Sequence, residues 1–115
     1  MPRYVVLTHD HPFLHWDLML EAADRLRTWR LLEKPAPERF VPAEALPDHR
    51  RLYLDYEGPV SGGRGEVRRW DWGTYTLSAE SEDGLALELE GEVLQGRADL
   101  RRGEGDDWTF YLRTR

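Results

Sequence analysis

Cysteine is absent from the 115 residues. That excludes disulfides and every thiolate metal site, and it fits a reducing compartment. Lysine is nearly absent too, Lys34 being the single one, so almost every cation is an arginine. No apolar run approaches the roughly 18 residues of a membrane-spanning helix. The opening Met1-Pro2-Arg3-Tyr4-Val5-Val6-Leu7 turns polar too soon for a secretory signal. A cytoplasmic domain without membrane association is expected. Positive charge is in deficit, with 16 basic against 22 acidic side chains and a net charge of −6. This balance argues against a protein that coats nucleic acid, because phosphate affinity rests mainly on cationic contacts. Yet Arg50, Arg51, Arg64, Arg68, Arg69, Arg97, Arg101 and Arg102 gather in the later two thirds, while acids crowd 80–92 and 104–107. An arginine's planar fork suits phosphate oxygens.

Histidine, by contrast, is concentrated. Three of the four fall within His9-Asp10-His11-Pro12-Phe13-Leu14-His15, and strict alternation follows through Trp16-Asp17-Leu18-Met19-Leu20-Glu21. On a strand, His15, Asp17, Met19 and Glu21 share one face, and Trp16, Leu18 and Leu20 take the other, toward an apolar core. His9 arrives from the preceding turn. Two imidazoles and a carboxylate so placed suit a first-row divalent ion and leave positions open for water or substrate. The third ligand is equally open to His11 or His49. If hydrogen-bonded to one another instead, the same groups make an ordinary polar strand end. A bound ion would polarise an oxygen and lower the pKa of its water.

The remaining chain is punctuated by turns. Residues 4–7 read as a short strand, 8–12 as a polar turn, 14–21 as the alternating strand and 26–32 as its hairpin partner carrying Trp29. Residues 33–47 hold Pro35, Pro37, Pro42 and Pro47, which predicts a long ordered loop with one helical turn near 42–46. Strand character resumes at 48–57, 66–71, 74–78 (after an interruption at Gly73), 85–93, 96–101 and 108–113. The expectation is one all-β domain over residues 1–115, a small antiparallel barrel of about eight short strands with at most one or two short helical turns. His49, following the proline-rich stretch, falls at a strand end or rim where a substrate can reach it, with Tyr53 grouped beside it; an exposed His and a half-buried Tyr are the alternative. The glycine-rich 58–65 lacks the Lys-Ser/Thr ending of a P-loop and reads as a hairpin turn rather than a phosphate cradle. Trp70, Trp72 and Trp108 are expected mostly in the core, with base stacking as the alternative.

Taken in order, these motifs resemble the 3′-phosphoesterase domain of bacterial DNA ligase D and its stand-alone relatives. The resemblance is carried by His9-Asp10 and His15-Trp16-Asp17-Leu18-Met19-Leu20-Glu21, then Trp29, then Asp48-His49-Arg50-Arg51-Leu52-Tyr53 with Tyr56-Glu57-Gly58. It continues through Gly63-Arg64-Gly65-Glu66-Val67, Trp70-Asp71-Trp72-Gly73, Leu89-Glu90-Gly91-Glu92-Val93-Leu94-Gln95-Gly96 and Trp108. It implies a β-barrel binding Mn²⁺, or another divalent first-row metal, through His9, His15 and Asp17. It further implies healing of nucleic-acid 3′ ends in DNA repair, by removal of a terminal ribonucleoside and then of the 3′-phosphate. His49 would contact the phosphate and protonate the departing oxygen, with Tyr53 holding the phosphate by its hydroxyl. A ligase or polymerase encoded separately is the implied partner.

The family arginine two residues after the Asp is Met19 here, and a thioether cannot supply paired charged hydrogen bonds. Arg50, Arg51 and Arg64 are the candidates to hold phosphate in its place. Two further readings follow from the same residues. One is a weakened relative that binds metal and DNA ends as an accessory. The other is a 2-His-1-carboxylate oxygenase using His15, Asp17 and His49.

Overall fold

The alternation at the start of the chain becomes strands that leave one face free for a site. A computed structural model describes residues 1–114. Its order is β1 (Arg3–His9), β2 (His15–Ala22), β3 (Arg25–Leu31), β4 (Phe40–Arg50), a 3₁₀ turn (Arg51–Leu54), β5 (Gly58–Pro59), β6 (Glu66–Ser81), β7 (Gly84–Gly91), β8 (Gln95–Arg102) and β9 (Asp107–Arg113). Every ladder between these strands is antiparallel, in the order β1-β2-β3-β4-β9-β8-β7-β6-β5. β6 also pairs with β1 from Arg3↔Thr74 to His9↔Val67, which curls the sheet into a barrel-like ring. The all-β, barrel-like expectation holds, with one 3₁₀ turn as the helical element among the described residues.

Alternation sorts the side chains of β1 to β3 between two apolar clusters. Tyr4, Val6, Leu18, Leu20, Trp29 and Leu31 join Val41, Leu87, Leu89, Leu100, Trp108 and Phe110 inside the ring, with Trp16 and Trp70 packed at its margin. Trp29 meets Trp108 edge-on at 5.5 Å. Val5, Leu7, Met19 and Leu26 face the other way and are covered by Leu54 and Val67, with Tyr53, Tyr56 and Val60 at the border. The 3₁₀ turn thus roofs the outside of the sheet beside the histidines. Trp72 is 40% exposed and stands apart from the core, with the Arg69 guanidinium 4.6 Å from its ring.

Two expectations are corrected. Residues 40–50 form the 11-residue strand β4, so no helical turn occurs near 42–46, and the loop shrinks to the stretch between β3 and β4. The prolines fit because neither is asked for a ladder donor. Pro42 accepts from Leu32 N through its carbonyl where β3 gives out, and Pro47 lies at the register shift between β3 and β4. Bulges and strand ends are where proline is tolerated in sheets. The helical turn comes later, at Arg51–Leu54, within the stretch expected to be extended.

Nor does Gly73 interrupt anything. β6 runs through it for 16 residues, and the glycine is there because a Cβ would collide with the Glu90 carbonyl of β7. Beside it, buried Asp71 accepts from Tyr4 Oη at 2.5 Å, Val93 N at 2.8 Å and Leu94 N at 3.1 Å. The motifs around Trp70–Gly73 and Gly91–Leu94 therefore lock β6 to the turn before β8. Their role in this fold is architectural.

Candidate metal centre and cleft

His15 and Asp17 stand on β2 on the face away from the ring interior, and His9 ends β1 opposite His15 in register. Ligand atoms of these three residues all lie within 4.8 Å of one another. His15 is fully buried and Asp17 is 3% exposed. His15 Nε2 is 3.2 Å from both Asp17 oxygens, and His9 Nδ1 is 3.5 Å from Oδ2. The opposite ring nitrogens are already engaged: His15 Nδ1 donates to the Phe13 carbonyl at 2.8 Å, and His9 Nε2 donates to the Arg64 carbonyl at 2.8 Å. A carbonyl only accepts, so those nitrogens carry the protons in the neutral rings. The nitrogens turned inward then offer lone pairs, and they converge with a carboxylate.

Three acceptors facing one another require a cation or extra protons. Asp17 Oδ1 is buried and accepts no hydrogen bond. His9 is held above its ordinary pKa chiefly by its hydrogen bond to Asp17, with burial opposing. Burial pushes the Asp17 carboxyl up, but the facing imidazoles of His15 and His9 outweigh it and hold the group below its usual value. An orphaned carboxylate oxygen, two lone pairs and carbonyl-fixed imidazoles make a donor set that fits a divalent first-row ion.

The cluster opens onto a cleft of about 480 Å³ bordered by His11, Arg30, Asp48, His49, Arg50, Tyr53 and Arg64, with Met19 and Val67 in its floor. His49 Nδ1 donates to the Pro47 carbonyl at 2.9 Å, which leaves Nε2 as its remaining ring nitrogen, and its ring stands edge-on to Tyr53 at 5.9 Å. Of the residues singled out from sequence, His9, His15, Asp17, His49, Tyr53, Arg50 and Arg64 thus come together at one place. Arg51 does not: its guanidinium pairs with Glu21, outside the cleft. Arg64 reaches the rim, but its Nε donates to the Ser61 carbonyl at 2.7 Å, so its main service to the site is its own carbonyl. His11 lies 6.5 Å from His9, centroid to centroid, and His49 borders the cleft; neither joins the compact three-residue cluster. Met19 is 1% exposed and packs in the outer apolar cluster. The glycine-rich stretch turns the chain from β5 into β6, and Gly65, at φ +76°, sits where a Cβ would strike Asp10 and His11.

Sequence reasoning missed Arg30. It pairs directly with Asp17 across the β2–β3 ladder, so the two share a face. The signal was available: a tight turn after Ala22↔Arg25 fixes the register, and counting back puts residue 30 opposite residue 17. The Phe13 and Arg64 carbonyls had no such signal, because any residue supplies a carbonyl.

A barrel-like antiparallel ring that carries a buried His/His/carboxylate cluster on its outer face, under an arginine-bordered cleft, defines the class of β-domain to which this chain belongs. The chain belongs to the DNA ligase D 3′-phosphoesterase domain family, whose profile matches residues 7–102. It is 34% identical over 88 residues to the "Multifunctional non-homologous end joining protein LigD" of Pseudomonas aeruginosa (strain PAO1). The match takes in 72% of this chain and spans about a tenth of that relative, 10% of its length.

Proposed function

We propose that this domain heals nucleic-acid 3′ ends in DNA repair, removing a terminal ribonucleoside and then the 3′-phosphate, with a divalent ion such as Mn²⁺ held by His9, His15 and Asp17. The carrying observation is that a cluster of three acceptors opens onto the same cleft as His49, Tyr53 and the arginines. Family membership supports the end-processing role. When bound there, the ion supplies neutralisation of a phosphate oxygen and a water of lowered pKa.

The chain's own residues account for the rest. The Phe13 and Arg64 carbonyls hold both imidazoles in the ligating tautomer, so neither ring has to exchange its proton between nitrogens on binding. His49, held through Nδ1, has Nε2 as the nitrogen to contact the phosphate and to protonate the departing oxygen when charged. Tyr53 offers its hydroxyl from the 3₁₀ turn to the same cleft. Met19 contributes only apolar surface. That favours a second reading, an accessory that binds metal and 3′ ends for a separately encoded ligase or polymerase without turnover.

One experiment separates the two. Pure protein is incubated with Mn²⁺ and a 3′-phosphorylated primer–template. Release of phosphate with a 3′-OH product, abolished by His15→Ala, supports the enzyme. Binding of the primer end without product supports the accessory, and neither binding nor product refutes both.

A further inference from the structure

We infer that Arg30 is the phosphate-holding fork of the cleft, presented from β3 rather than β2; the inference deepens the proposed function and rests on it. Arg30 stands directly across the ladder from Asp17, one strand spacing from the ligand cluster and on the same face. It borders the same cleft as His9, His49 and Tyr53. Its side chain is 23% exposed, and the Nε is buried with no hydrogen-bond partner. The fold thus leaves part of this guanidinium's donor capacity unused, so the group is not consumed by a structural role.

Two neighbours position the guanidinium without using it up. The Phe13 ring lies 5.7 Å from its Cζ. Glu44 Oε1 is 3.7 Å from Nη1, too far for a hydrogen bond, so the ion pair is loose. Phe13 thus serves the site twice, since its carbonyl also fixes His15. The other arginines of the cleft are worse placed: Arg50 and Arg64 are both exposed, and Arg64 donates to its own turn. Two oxygens of a phosphate entering beside Asp17 would accept from the two Nη groups, the paired pattern for which guanidinium is suited and ammonium is not. Met19, whose Cα neighbour across the same ladder is Thr28, lies one step further along β2 from that position. The cation missing from residue 19 is therefore replaced from the adjacent strand.

The test compares Arg30→Met and Arg30→Lys with the unaltered protein, using two matched oligonucleotides that end in 3′-phosphate or 3′-OH, with Mn²⁺ present. Unaltered protein should prefer the 3′-phosphate end. Arg30→Met should lose that preference and about 10²-fold in kcat/KM, with Mn²⁺ affinity unchanged by titration. Arg30→Lys should fall between, because charge persists and the fork does not. A Met variant that keeps both preference and turnover overturns the inference while leaving the proposed activity standing. Preference lost in Arg30→Met, from a parent that binds but never turns over, upholds the inference and refutes the activity. A parent blind to the 3′-phosphate overturns the inference outright. Should Arg30→Met lose Mn²⁺ binding as well, the residue is structural and the inference fails.

Discussion

Metal binding should register first as thermal stability, and Asp17→Asn is the substitution that isolates it. In the metal-free protein Asp17 is buried with one oxygen unpartnered, a defect worth about 1–3 kcal/mol. An ion among His9, His15 and Asp17 removes that defect and adds its own binding energy. At a concentration about 100-fold above Kd, linkage gives about 2.7 kcal/mol of added stability. A domain of this length unfolds with an entropy of roughly 0.24 kcal/mol/K, taking about 2.1 cal/mol/K per residue, so Tm should rise by about 11 °C. Asn keeps the shape of the side chain but removes the charge that draws the ion. Asp17→Asn should therefore retain a cooperative melt and lose nearly all of the Mn²⁺-dependent rise. Differential scanning fluorimetry across an Mn²⁺ titration, with Mg²⁺ and EDTA controls, reads both quantities. An equal rise in Asp17→Asn, or none in the unaltered protein at millimolar Mn²⁺, would mean that the three acceptors are not an ion site.

Other consequences are checkable with the same material. His49→Ala should lower kcat on a 3′-phosphate primer by about 10²-fold or more while leaving the Mn²⁺ midpoint unchanged, and a shifted midpoint would make His49 a ligand instead. Without metal, the raised pKa of His9 contributes stability that is complete below its ordinary value of 6.5 and lost as pH climbs through the raised value. The lowered pKa of Asp17 contributes above 3.8 and is lost on acidification through the lowered value. Metal-free Tm should thus peak in mild acid and sag toward alkaline pH; with saturating Mn²⁺, which displaces the His9 proton, the alkaline sag should disappear. Tyr4→Phe removes the donor 2.5 Å from buried Asp71. It should cost about 1.5–3 kcal/mol, seen as a lower urea midpoint with Mn²⁺ affinity intact. Gly73→Ala should destabilise through the clash with the Glu90 carbonyl, again without touching the site.

The first three strands and the meeting of His9, His15 and Asp17 were legible because period-two alternation is a local property. His15-x-Asp17 fixes a face by itself, and His9 needs only a short turn to reach it. β4 was not legible: proline density argues for a loop, and only tertiary pairing reveals that Pro42 falls where β3 ends and Pro47 at a register shift. Gly73 misled for a related reason, since a glycine that breaks a strand and one that admits a neighbouring backbone look alike in sequence. The position of Arg51 was undetermined because a 3₁₀ turn rotates successive side chains away from a common face, and Glu21 captures its guanidinium. The place of Arg30 was encoded, since the two-residue turn after Ala22 sets it opposite Asp17.

The site hangs on the exterior of the ring, and its two imidazoles are steered by the peptide groups of Phe13 and Arg64. Side-chain replacement at those two positions leaves the steering intact, whereas deleting a residue from either loop would not. Loop length at those two turns therefore matters more to the histidines than side-chain identity does.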